Sequence, residues 1–378
     1  MKEKSLGFWP VFMMLTLSVG LSSHVVLLPT VLEVSSRDAW MCGIIAFVVL
    51  IPWATVFITG TMKRTKQINL RQWLRTRLSP FGAWVLISPV IVLLLHTSFQ
   101  SFLQTTSWTS STYLPETPQL VVMICFMILI GFAVWNGLRA IAYMSCLLLP
   151  GVVFLGDFVM SVNMPNKNYA LLLPMAEHGW GPPLHGAVYA VSCLMELFML
   201  LFIQHFFSGV MKNWQLLLQL GFIMLLMLGP AVGAITEFGP EEADKLLYPA
   251  FAQWRLVSIG KYVEHVDFFA IYQWMSGAFV RISLGMALVL ELIPLRKPKA
   301  RLIFIVTLSL IYIVLGKILL GHLNAAQTII QSTFIMDIGI VVFVTTWLWL
   351  LSFKGVPKEG GLDENAKQRA EAGAANNL

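Results

Sequence analysis

Hydrophobic residues in this chain fall into long runs divided by short polar stretches, with neither the alternation of a half-buried strand nor the single stripe of a surface helix. Ten runs reach the roughly 20 residues that carry a helix across a bilayer. They lie at about 8–32, 38–60, 81–104, 119–136, 140–162, 184–207, 214–236, 267–293, 302–321 and 328–352. The pattern predicts an all-α membrane protein with ten transmembrane helices. Ten spans divide into two sets of five, and an odd-numbered unit repeated in tandem sits upside down the second time, which is the five-plus-five inverted repeat of many transporters. On that division the membrane domain is 1–353, with repeat one at about 8–162 and repeat two at about 184–353.

The first run is interrupted. Within LSVGLSSHVVLLPTVL, residues 17–32, the residues Gly20, Ser22, Ser23, His24 and Pro29 weaken helical pairing that a lipid-embedded segment has to keep. Two readings remain open: a half-helix junction whose free peptide groups meet a solute, or a Pro-kinked helix with small residues for close packing. In the sixth run Ser192 and Cys193 sit at mid-depth without Gly or Pro, so a matching break there is only weakly signalled.

Two connections are longer than they need to be. Residues 163–183 are rich in Asn, Gly and Pro and predict a turn-rich cap. Residues 237–266 carry Glu237, Glu241, Glu242 and Asp244, then LLYPAFAQWRLVSIGKYVEH, which predicts an amphipathic helix lying at the membrane surface. After Phe353 the chain turns small and polar, so 354–378 is expected to be a disordered cytoplasmic tail.

Composition agrees with the pattern: 57% of the 378 residues are hydrophobic and 12% charged, with a mean hydropathy of +0.77, where a soluble domain carries about 25% charge. The run from Phe8 is long enough to span and is expected to be retained rather than cleaved. A net charge of +6 invites an anionic partner, but its placement answers that. With ten spans, 18 Lys and Arg fall on the side of the termini, including Lys63, Arg64, Arg71, Arg75, Lys297 and Lys299, against five on the other. The positive-inside rule then puts both termini in the cytoplasm and leaves no call for nucleic acid. The four cysteines stand singly in apolar runs, without disulfide or zinc spacing.

Charges inside spans are functional candidates by default. Glu196 lies about 18 Å into the sixth run and Arg281 at comparable depth in the eighth, so the two are expected to pair. The pair reads either as a packing clamp or as a ligand contact that changes partner. Lys317, Asp157 and Asp337 fall nearer span ends, where snorkelling or a cavity lining explains them. Ser98, Ser101 and Gln104 share one face of span three, and Tyr272, Gln273, Trp274, Ser276 and Gly277 form a similar patch in span eight. Either face serves packing or a cavity. The seven histidines are dispersed, without a metal-binding set; His24, at the interruption, is the one placed to contact a ligand. Phosphate-cradling loops, nucleophile elbows and zincin helices are absent, which argues against an enzyme or a primary pump, and no cofactor is implied.

Several strings resemble a known family. LLPMAEHGWGPPLHGA (172–187), YPAFAQWRLVSIGKYVEHVDFFAIYQWMSGAFVRIS (248–283) and the Leu-Pro ending of the first span are similar to the B subunits of GerA-type spore germinant receptors, the GerAB family of the amino acid, polyamine and organocation superfamily. The resemblance implies a LeuT/APC-like bundle with discontinuous helices one and six, and a ligand pocket walled by spans three and eight. It also implies an A subunit and a lipoprotein C subunit as partners in the spore inner membrane. Carried over, the ligand loop is Gly20, Leu21, Ser22, Ser23 and His24, the mid-membrane acid is Glu196, and the basic residue of span eight is Arg281. Two departures stand out: Ser22 and His24 replace a Gly-x-Gly element, and Glu264-His265 replaces Glu-Arg.

The expectation from these observations is a nutrient-sensing subunit binding a small molecule, most simply an amino acid. The amides of Ser22 to His24 would hold its anionic end, Ser192 and Glu196 its cationic or polar end, and Ser98, Ser101, Tyr272 and Trp274 would shape the pocket. A secondary transporter of amino acids coupled to protons or sodium uses the same residues. A scaffold whose pocket has decayed is the third reading.

Overall fold

The computed structural model describes residues 6–258, 266–295, 297–320 and 323–353, with the side chains of 323–332 left aside. The expected tail and the Glu264-His265 departure lie outside the described residues. Among those residues, ten helices are long and apolar enough to cross a membrane, and no strand beyond one isolated bridge is formed.

Helix ends follow local chemistry. The Ser79 hydroxyl accepts from Gly82 N–H at 3.1 Å at the start of the third span (Pro80–Thr112), where Pro80 removes one amide that would lack a partner. Gly137, at φ +83°, turns the fourth span (Gln119–Asn136) directly into the fifth (Leu138–Val162), a conformation that suits a residue without Cβ.

Burial sorts the helices into layers. In their apolar windows, 89% of span eight (Val266–Leu292), 78% of span six (Gly181–Phe206) and 72% of span one are buried, against 17% of span five and 22% of span nine (Pro298–Leu319). Spans one, six and eight therefore form the centre. Spans five and nine face lipid, where an apolar surface needs no cover.

Both central helices of the expected repeats depart from α geometry. Span one runs as α-helix over Phe8–Leu21, as a π turn over Ser22–Val26, and as α-helix again over Leu28–Ser35. Span six is α-helical over Gly181–Leu194, then 3₁₀ over Met195–Met199. A parallel bridge between Leu6 and Phe207 ties the start of one to the end of the other, with Leu6 N–H donating to Phe206 O at 2.6 Å. A second π turn, Trp53–Thr59, follows Pro52 in span two.

The face opposite Phe8, here the far face, is capped. Residues 163–183 form turns and two short 3₁₀ segments, pinned by Asn168 N–H to Thr236 O at 2.9 Å and Ala176 N–H to the Asp38 carboxylate at 3.0 Å. The expected surface helix is instead a seven-residue cap, Pro249–Arg255, with Pro249, Gln253 and Trp254 buried against the bundle. Gln253 carries it: its Nε2 donates to Pro230 O at 3.0 Å, and its amide lies against Gly233, where any Cβ would overlap the Oε1 atom. The apolar residues that suggested a surface helix divide, with Trp254 packed inside while Leu247 and Leu256 stay exposed.

Candidate functional site

The centre of the bundle is filled by two side chains. Arg281 and Glu196 form a two-pronged ion pair: Nη1 meets Oε2, and Nη2 donates to Oε1 at 2.7 Å. The same guanidinium donates through Nε to Ser101 Oγ at 2.8 Å and through Nη1 to Ser18 O at 3.2 Å, so one residue of span eight holds spans one, three and six. Its fork suits this geometry.

Local sequence explains why it reaches. Gly277, Arg281 and Gly285 recur every four residues, on one helical face. A Cβ at Gly277 would stand 2.9 Å from Leu21 Cβ, and one at Gly285 3.0 Å from Ser98 Cβ. The two glycines bring span eight against spans one and three, and Arg281 lies between them.

Other polar groups surround the pair. Asp337 of span ten (Thr333–Ser352) is buried, within electrostatic range of Glu196 and Arg281, and its Oδ1 has no hydrogen bond among the described residues. It lies near the start of that span, within the longer helix Leu323–Ser352. His96 of span three lies 3.0 Å from Thr333 Oγ1.

The expected ligand residues do not converge on one cavity. Ser98 donates to Leu94 O and shares a 2.8 Å bond with Tyr312, in the seam between spans three and nine. Ser192 donates to Phe334 O at 3.1 Å, joining spans six and ten. Tyr272 is 38% exposed and donates to Leu148 O at 3.1 Å, on the outer side towards span five. Trp274 stacks on Trp108 with ring centres 4.1 Å apart and donates to Thr105 at 3.1 Å. Each is engaged in packing. Ser101 and Glu196 are both taken up by Arg281.

The interruption in span one takes the form of a π turn rather than an open junction. Leu21, Ser22 and Leu27 keep right-handed helical angles, and Leu27 N–H donates to Ser22 O at 2.9 Å, so the wide turn closes on itself. Gly20 O instead receives side chains, Ser23 Oγ at 2.7 Å and His24 Nδ1 at 2.5 Å. Ser22 and Ser23 are buried, while His24 is half-buried.

Beside this turn lies a cavity of 320 Å³, bounded by spans one, five, seven (Asn213–Phe238) and eight and by the cap helix. Gly20, Leu21 and His24 line it; Ser98, Ser101, Ser192, Glu196, Tyr272 and Trp274 do not. Its volume falls in the range of small-molecule sites. The wall is chiefly apolar, with Thr16, Asp157, Gln253 and Gln273 as polar members, and exposed Leu225 marks its lipid side. His24 also borders a second space of 30 Å³ under Tyr248, Phe251 and Trp274, room for about one or two waters. Asp157 and Gln253 are the residues sequence reading undervalued here. The Asn163 side chain, donating to Gln253 O at 2.8 Å, ties span five to the cap above the cavity.

Spans one and six that leave α geometry in the middle of the bundle, and a cavity at the irregular turn of span one, are features of a transporter-type bundle. Its backbone is similar to a Na+-coupled sialic acid symporter solved in a substrate-bound outward-open state, with a TM-score of 0.63 over 91% of this chain and 82% of that one, at 8% identity. Sequence comparison goes further. Residues 8–319 match the model of the Spore_permease family, described as spore germination protein, and the chain is 38% identical over 297 residues to spore germination protein XB of Bacillus anthracis, covering 78% of this chain and 82% of the relative. The chain belongs to the spore germination protein family, an integral membrane, permease-like family and not an enzyme family.

Proposed function

We propose that this protein is the ligand-sensing membrane subunit of a spore germinant receptor. A small nutrient, most simply an amino acid, enters the cavity beside the π turn of span one, and tighter contact with one packing of the helices shifts the population towards it. The observation that carries this reading is the 320 Å³ cavity against Gly20, Leu21 and His24. A π turn supports it too, because such turns recur at functional sites in helices. On this reading the Arg281–Glu196 pair joins the helices that the ligand biases, and does not touch the ligand.

The partners in this reading are an A subunit and a lipoprotein C subunit, with the protein in the spore inner membrane. Both termini are cytoplasmic by the placement of Lys and Arg, so the far face with its cap helix is external. Residues 1–353 act as one permease-like unit, with repeats at about 8–162 and 184–353. Thermal unfolding of the purified protein in detergent tests the proposal. An amino acid, sugar or nucleoside at 100 times its Kd should add about 2.7 kcal/mol, and no response to any of them contradicts it.

Solute translocation is the second reading, favoured by the shared transporter backbone. Counterflow of labelled solute in proteoliposomes separates the two.

A further inference from the structure

The polar groups around the 320 Å³ cavity are unevenly committed. Gln273 Nε2 donates to Val152 O at 2.9 Å, and its Oε1 accepts from Trp254 Nε1 at 2.8 Å. Gln253 Nε2 donates to Pro230 O and Pro249 O, which fixes the orientation of that amide and turns its Oε1 against Gly233. At His24 the partner of Nδ1 is a carbonyl, which only accepts, so Nδ1 carries the proton and Nε2 of the neutral ring is an acceptor. The charged group is Asp157, exposed and without hydrogen bond or ion pair to any described residue. It lies five residues before the end of span five at Val162, about 8 Å along the helix.

The amide donors of Gln253 and Gln273 and the Trp254 N–H are therefore engaged, Thr16 Oγ1 accepts from Gln219 Nε2 at 2.8 Å, and among the described residues the single formal charge on the wall is negative, with neither Lys nor Arg lining the cavity. A carboxylate near a span end, on a chiefly apolar wall and without a protein partner, favours a cation beside it. Between these polar groups the wall is aliphatic, from Leu17, Leu21 and Val153 to Leu226.

We propose that the cavity recognises the ammonium group of an amine with a compact apolar body, that Asp157 is the residue that binds it, and that a ligand carboxylate has no dedicated partner there. The inference rests on the reading of this cavity as the nutrient site and names what that site reads. It replaces the expectation that the amides of Ser22 to His24 hold an anionic end, since the π turn is closed. Leucine would bind through its amine and side chain, its carboxylate towards the open side.

The test is equilibrium binding to the full chain in nanodiscs with three probes of one shape: leucine, 3-methylbutylamine and 4-methylpentanoate. The expected result is that the amine binds within about threefold of leucine and the acid about tenfold or more weakly. Asp157→Asn should weaken leucine and the amine by about tenfold or more, and Asp157→Glu should restore most of it. Because Asp157 is exposed, neither variant should disturb folding, which an unchanged unfolding curve checks. Acid binding equal to amine binding, or amine affinity unchanged in Asp157→Asn, overturns the inference and leaves the cavity as the site. Loss of binding in the cavity-filling variant Gly229→Leu marks the site independently. If leucine and the amine bind unchanged in that variant, or no probe binds the wild type, the cavity reading fails and the inference with it.

Discussion

Arg281 and Glu196 meet through two hydrogen-bonded prongs at the point where spans one, three, six and eight converge, with side-chain exposures of 5% and 13%. A buried pair of this kind is weak evidence for net stability, because desolvation offsets much of the attraction. Losing one partner is another matter. Arg281→Met is expected to cost about 3–5 kcal/mol by leaving a buried carboxylate without its partner, and Glu196→Gln a similar amount. The double variant Arg281→Met, Glu196→Gln should recover much of the loss. A cycle of thermal unfolding measurements in detergent checks this, and additive losses would mean that the two groups act independently.

Gly277 and Gly285 set the distance at which that pair can form. A Cβ at Gly277 meets Leu21 Cβ at 2.9 Å and Leu17 O at 3.4 Å, where backbone cannot yield as a flexible side chain can. Gly277→Val is therefore expected to cost about 1–3 kcal/mol by overpacking. The same substitution at Gly229, with open space around its Cβ, should change stability by no more than about 0.5 kcal/mol. Unfolding of the two variants side by side measures the contrast.

Gly229 also supplies a test of occupancy. It lines the 320 Å³ cavity and no atom lies within 4 Å of where its Cβ would be, so a leucine there projects into free volume. Gly229→Leu should fold normally and lose ligand-dependent stabilisation. A variant that keeps the full response contradicts placement of the ligand beside the π turn.

The ten spans were legible because lipid leaves a helix little choice: each run near 20 residues long became a span, from 119–136 as Gln119–Asn136 to 267–293 as Val266–Leu292. The depth of Glu196 and Arg281 was legible for the same reason, since charges in such runs must find each other. What the sequence hid was the direction of side chains. Ser98, Tyr272 and Trp274 look like pocket residues in a polar patch, yet helix rotation turns them to Tyr312, Leu148 and Thr105. Gly20, Ser22, Ser23, His24 and Pro29 signalled an interruption but not its form, because a π turn and an open junction use the same small and polar residues. The recurrence Gly277, Arg281, Gly285 was readable and marks how span eight approaches its neighbours.

A ligand held beside the π turn rather than at the Arg281–Glu196 pair is the claim that most of this rests on. Photo-crosslinking with a diazirine analogue of leucine, followed by mass spectrometry of the labelled peptides, tests it most directly. The expected labels fall on span one near Leu17 and Leu21, span five near Val153 and span seven near Leu226, all competed by excess leucine. Competed labels confined to the residues around Ser101, Glu196 and Arg281 would contradict it.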